Sequence, residues 1–216
     1  MGKPFKVFGI GLNRTGTTSL KKALRILGYK HQKRQGRYLN WLRQGRVTQI
    51  FDDIKEMESF EDWPWPLMYK ELLAHYGEGA RFILTRRTSA DIWIKSLKQH
   101  SLRTHPVKHQ RRLALGYDYP HGYEAEHAAF YEAHYKDVHA HFAALKKSQL
   151  LLEVCWEEGD GWKQLCGFLG EKRKFRPFPH ANAMAAAREE PKIREENEHL
   201  IAAQVAERKR AETSSA

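Results

Sequence analysis

The sequence predicts a single α/β domain, a parallel sheet flanked by helices, and three observations carry that prediction. Short apolar runs, "FKVFGIG" (5–11), "RFILT" (81–85) and "SQLLLEV" (148–154), read as buried strands, because a strand covered on both faces shows a continuous apolar run rather than alternation. Each is followed by a stretch patterned as a helix. The chain has 216 residues, enough for one sizeable core and short for two. Strands alternating with helices imply parallel pairing, and ligands of such sheets bind at the carboxyl ends of the strands.

The elements follow in order. The first run ends in the glycine-rich "GIGLNRTGTTSL" (9–20) and passes directly into "TTSLKKALRILG" (17–28), where Leu20, Ala23, Leu24 and Leu27 share one helical face. The hydroxyls at its start suit capping, and Gly28 ends it. A helix from about Leu67 to Tyr76, broken at Gly77 and Gly79, leads into "RFILT", and Ser89 opens the next helix in "SADIWIKSLKQH". Residues 97–148 turn polar and histidine-rich. Within them Tyr123, His127, Phe130, His134, Val138 and Phe142 keep helical spacing, which predicts one long helix forming part of a cap. After "SQLLLEV" comes "GWKQLCGFLG" (161–170), with Trp162, Leu165, Cys166 and Leu169 inward. The chain past "RPFPHANA" is charged and helix-favouring but interrupted by Pro191. It reads as a C-terminal helical tail (183–216) appended to the α/β domain (1–182).

The net charge is +11, concentrated in "KHQKRQGR" (30–37), "KHQRR" (108–112) and "EKRKFR" (171–176). Separate patches favour an anionic ligand over a nucleic-acid face, and no groove-reading helix or aromatic-sheet signature is present. No apolar run is long enough to span a membrane, and the N-terminus enters the first strand without a cleavable leader, so a cytoplasmic protein is expected. Cys155 and Cys166 form neither a disulfide framework nor a metal spacing. The 12 histidines, including "HAH" at 139–141, are diffusely spaced with no completed ligand set, so no metal is expected.

A glycine loop between strand and helix aims backbone N–H groups and the positive helix end at an anion. Residues 11–18 therefore form a candidate phosphate cradle. Gly11 and Gly16 keep the glycine spacing of a nucleoside-triphosphate loop, but Thr17 stands where that loop has lysine, and no clear strand-end carboxylate is available for magnesium. The nearest cation is Arg14.

"RTGTTSL" resembles the 5′-phosphosulfate loop of sulfotransferases that use 3′-phosphoadenosine 5′-phosphosulfate (PAPS), commonly K-[ST]-G-T-T, with Arg14 in the lysine's place. "FILTRRTSADIWIKSL" is similar to that family's 3′-phosphate motif. "FEDWPWPLMYKELL", and "LLLEVCWEEGDGWKQLCGFLG" with "PFPHAN", resemble a mainly microbial subfamily, so that the likeness covers roughly residues 5–182. The resemblance implies a PAPS-dependent transfer of a sulfuryl group to a hydroxyl or amine acceptor, a small molecule or glycan. It implies that Asn13, Arg14, Thr15, Gly16, Thr17 and Thr18 hold the 5′-phosphosulfate, and that Arg87 and Ser96 hold the 3′-phosphate. Those two are one position further apart than the family's commoner spacing, which leaves Arg86 as the alternative. Sulfuryl transfer needs in-line positioning and stabilised charge on the leaving phosphate, with less countercharge than phosphoryl transfer, so these donors suffice without a metal.

Asp62 lies 25 residues ahead of Arg87, where many cytosolic sulfotransferases carry a catalytic histidine, and is the candidate general base. An aspartate before Trp-Pro is equally a good helix N-cap, and Glu61, Asp52 and Asp53 are nearby substitutes. Trp63, Trp65 and Trp93 read as core or cleft wall. Two other functions fit parts of the pattern: a small-molecule kinase with an altered loop, and a non-catalytic binder of nucleotides or polyanions.

Overall fold

The computed structural model describes residues 2–33, 35–107, 110–180 and 191–214. Strand β1 (Lys6–Gly9) leads through the glycine loop into helix α1 (Thr17–Ile26); α2 (Gly36–Arg43), α3 (Val47–Asp53) and the short strand β2 (Ser59–Phe60) follow. A 3₁₀ turn at Trp65–Leu67 precedes α4 (Tyr69–Tyr76), β3 (Ala80–Thr85) and α5 (Ala90–Ser101). Then come α6 (Arg111–Leu115), α7 (Glu124–Ala144), β4 (Leu151–Val154), a 3₁₀ turn at Trp156–Glu158, α8 (Trp162–Leu169) and α9 (Pro191–Ser214).

The four strands pair in the order β2-β1-β3-β4, all parallel. Alternation along each strand then fills two cores. Phe8, Phe82 and Leu84 face α4, α5 and α7, while Val7, Ile83 and Val154 face α1 and α8. The larger core is aromatic, with Phe8 stacked on Phe60 at 4.6 Å and Phe142 edge-on to Phe82 at 5.1 Å.

Several boundaries differ from the sequence reading for local reasons. The helix expected from Leu67 begins at Tyr69, because Met68 adopts an extended φ of −129° between the 3₁₀ turn and α4. The N-cap of α1 is Gly16, in the left-handed region at φ 92°, and no hydroxyl caps the helix. Ser89, by contrast, accepts from Ile92 N at 3.2 Å and caps α5 as its type dictates. Pro191 opens α9, where proline's fixed φ suits the first turn. The 182/183 boundary falls outside the described residues.

α9 docks on the chain between α5 and α7, and on the start of α7, through polar contacts. Asn197, the one residue of α9 that is buried, accepts from Tyr119 OH at 2.6 Å and donates to Leu102 O at 3.2 Å. Gln204 donates to Tyr119 O and His121 O, and Arg208 pairs with Glu126 at 2.6 Å. No helix among the described residues is long and apolar enough to cross a membrane.

Candidate active site

The loop after β1 is pressed against the end of β3. A Cβ on Gly11 would fall 2.6 Å from Thr85 N and closer still to its carbonyl and hydroxyl oxygens, so only glycine allows the crossing. Thr15, buried, donates to Leu12 O at 2.6 Å, and its hydroxyl lies 2.7 Å from that of Thr85. Its side chain thus braces the loop and leaves only its backbone for a ligand. Trp93 Nε1 donates to Asn13 O at 2.8 Å, and Asn13 Oδ1 is buried with no hydrogen-bond partner among the described residues. Gly16 is covered by Trp156, whose Nε1 donates to Gly16 O at 3.2 Å and would stand 2.7 Å from an added Cβ. Because no side chain caps α1, the first-turn amides of Thr17 and Thr18 aim at the loop's mouth.

Arg14, at φ 69°, turns toward α5, where its Nε donates to Ser96 Oγ at 3.2 Å. Arg87 reaches the same hydroxyl with Nη2 at 3.3 Å and donates through Nε to Arg14 O at 2.8 Å. Two guanidiniums therefore share one serine. Burial, and then the charges of Arg87 and Arg103, lower the Arg14 pKa from the ordinary arginine value, with Asp62 opposing them. Arginine remains charged all the same. Such a cluster of positive charge is a candidate anion site.

Arg86 points elsewhere, pairing with Glu153 at 2.9 Å and with Glu158 at 2.6 Å. Those contacts raise its pKa further, Glu158 foremost. Of the two candidate arginines, only Arg87 faces the loop and Ser96. Tyr131 of α7 fixes that turn, its hydroxyl accepting from Arg87 N at 3.0 Å and donating to Arg87 O at 3.2 Å.

The four carboxylates are also distinguished by their surroundings. Asp52 pairs with Lys55 at 2.7 Å; Asp53 takes Arg37 at 2.7 Å and the Tyr38 hydroxyl. Glu61, buried, pairs with Lys21 at 2.9 Å. Burial pushes its carboxyl up, but His31 and Lys21 outweigh that and hold it below the usual range. Asp62 is the carboxylate whose charge bears on Arg14. It adopts φ 68°, and its carbonyl, not its side chain, accepts from Trp65 N at 3.2 Å in the turn before the 3₁₀ helix. The N-cap of that 3₁₀ turn is Pro64, and no side chain caps it.

The loop between β1 and α1 meets the β3–α5 turn through Arg14, Arg87 and Ser96, and the family whose description reads "sulfotransferase domain" matches residues 6–187. The chain belongs to the sulfotransferase domain family. A relative, Ava biosynthesis cluster protein M of Aspergillus versicolor, is 28% identical over 214 residues, covering 81% of this chain and 80% of that protein.

Within this sulfotransferase domain, sequence reasoning missed Trp156, Tyr131 and Glu157, which converge on the loop and on Arg87 from β4 and α7. A tryptophan two residues past the end of β4 was the one available signal. Two of the histidines have structural work: His134 Nε2 donates to Ile10 O at 2.9 Å beneath the loop, and His127 Nδ1 donates to Tyr123 O at 2.7 Å. Among the described residues no three His, Cys, Asp or Glu side chains gather as a metal site.

Proposed function

We propose that the protein transfers the sulfuryl group of PAPS to a hydroxyl acceptor. The observation that carries this reading is the sharing of Ser96 Oγ by Arg14 and Arg87, at 3.2 and 3.3 Å, which links the loop cradle to a second anion point on the β3–α5 turn. A donor with a 5′-phosphosulfate and a separate 3′-phosphate presents two such anions, and the residues fit both. The α1 amides, Arg14 and the Thr17 and Thr18 hydroxyls suit the first; Arg87 and Ser96 suit the second. A plain nucleoside triphosphate, with its anions in one row, has no use for the Arg87 point.

In the reaction the acceptor oxygen bonds to sulfur as the bond from sulfur to the bridging phosphate oxygen breaks. Asp62 takes the acceptor's proton, and Arg14 stabilises the charge that grows on the departing phosphate. The loop amides hold sulfur in line, and Trp156, seated on Gly16, keeps water from that side. The acceptor is a small molecule or glycan admitted beneath the helical segment 97–148, with residues 1–182 forming the catalytic unit.

Calorimetric titration tests the donor. Arginine hydrogen bonds to a phosphate contribute roughly 1.5–3 kcal/mol each, so adenosine 3′,5′-bisphosphate should bind at least about tenfold more tightly than AMP. Arg87→Ala should remove most of that preference and Arg86→Ala should not. Tighter binding of ATP with magnesium than of the bisphosphate would overturn the reading in favour of a kinase.

A further inference from the structure

The anion point at Arg87 already contains an anion. Glu157, from the turn after β4, pairs through Oε1 with Arg87 Nη1 and accepts from Thr88 N at 3.3 Å through Oε2. A guanidinium, a backbone N–H and the neighbouring Ser96 hydroxyl are the donor set expected for a phosphate, and a side-chain carboxylate of the same chain satisfies part of it. The next residue, Glu158, clamps Arg86 through both carboxylate oxygens, at 3.1 and 2.6 Å. One 3₁₀ turn thus presents adjacent carboxylates to adjacent arginines.

The two pairs are not equivalent. Glu158 holds an arginine that faces away from the loop, and that pair ties the turn to the end of β3. Glu157 occupies the donors that face it. Its side chain is 35% exposed against 18% for Arg87, so of the two partners Glu157 is the one free to swing into water. Arg87 is further tethered by Arg14 O and Ser96 Oγ.

We propose that Glu157 is an internal competitor for the donor's 3′-phosphate, filling the Arg87 site between turnovers and setting how tightly donor and spent nucleotide are held. The inference rests on the assignment of the 3′-phosphate to Arg87 made above. Entry of the phosphate displaces the carboxylate to solvent, and its return accelerates release of the bisphosphate product. A dianion outcompetes a single carboxylate at a guanidinium, whereas AMP, which has no 3′-phosphate, leaves the pair undisturbed.

Titration of adenosine 3′,5′-bisphosphate and AMP into the wild type, Glu157→Gln and Glu157→Ala, with stopped-flow release of the bisphosphate, tests this. Freeing the arginine and removing a like charge beside a dianion should tighten bisphosphate binding about tenfold in both variants, the gain residing in slower release. AMP affinity should stay within about twofold, since it makes no contact there. Unchanged or weaker bisphosphate binding in both variants, with the wild type still preferring the bisphosphate to AMP, would overturn the competitor role and make Glu157 a residue that orients Arg87. A wild type with no such preference would overturn the donor assignment itself, and this inference with it.

Discussion

Replacing Gly11 by alanine should separate the loop from the sheet. The added methyl would sit 2.6 Å from the Thr85 backbone nitrogen and closer to its two oxygens, and the backbone nitrogen and carbonyl cannot rotate away. Thr85 is held on its other sides by the Tyr135 hydroxyl, which donates to Thr85 O at 2.7 Å, and by the Thr15 hydroxyl. The loop must therefore move, straining the bond from Ile10 N to Ile83 O, now 2.8 Å. Overpacking costs about 1–3 kcal/mol, and a rigid backbone neighbour puts this site at the upper end. For a chain of this size that lowers the melting temperature by about 6–12 °C. Gly28→Ala is the control: its φ of 88° strains alanine, but nothing lies within 4 Å of the new methyl. It should cost only about 1 kcal/mol and leave nucleotide affinity alone. Thermal unfolding followed by circular dichroism, with titration of adenosine 3′,5′-bisphosphate, reads both quantities. A Gly11→Ala protein that melts with the control and binds the nucleotide normally would refute the close crossing of loop and strand.

Arg14→Ala should lower the transfer rate by about 100- to 1,000-fold with folding intact, as expected for one preorganised donor; a rate within a few-fold of wild type excludes the role. Asp62→Asn should keep the melting temperature and donor affinity while losing about 100- to 10,000-fold in transfer rate. Lost stability with full activity per folded molecule would mark Asp62 as structural. Burial lowers the pKa of His134 and of His127, so the native protein binds fewer protons at these sites than the unfolded chain, whose histidines titrate near about 6.5. Stability should therefore decline as pH falls from about 6.5 toward the lowered native values and lose nothing more from these groups below them. Urea midpoints between about pH 5 and 7.5, with His134→Gln flattening part of the slope, check the sign; a midpoint that rises on acidification contradicts it.

The unit β1–loop–α1, the β3–α5 pair and the β4–α8 pair were legible because each joins a continuous apolar run to a helical periodicity of 3.6, and the long α7 was legible from that periodicity alone. β2 was not: two residues, Ser59 and Phe60, are too few for any period, and they are a strand only because Val7 and Phe8 pair with them. α2 and α3 lie in a polar stretch where Tyr38, Leu39 and Ile50 alone are buried. The site was partly legible. Arg14 and the glycines announce a loop, but nothing local distinguishes Arg86 from Arg87. Which one faces Ser96 is decided by the twist of the chain between Thr85 and Ala90, and by Glu153 and Glu158, some 70 residues away, capturing the other. The capping expectation at Thr17 failed because Trp156, from a distant turn, seats against a left-handed Gly16.

The way α9 is fastened has a thermodynamic consequence. Its anchor is an amide, Asn197, bonded to main-chain and phenolic oxygens, and Leu200, its exposed leucine, stays 44% accessible. Detaching such a helix wets few apolar atoms, so it carries little heat capacity and a shallow dependence on denaturant. What it uncovers is polar: the carbonyl of Leu102, which Asn197 now satisfies, and that of Thr104, which Asn197 shares with Arg111 Nη2, on the turn that follows α5. The C-terminal helix therefore sets the hydration of that turn, while the two cores on either side of the sheet set the stability of the fold.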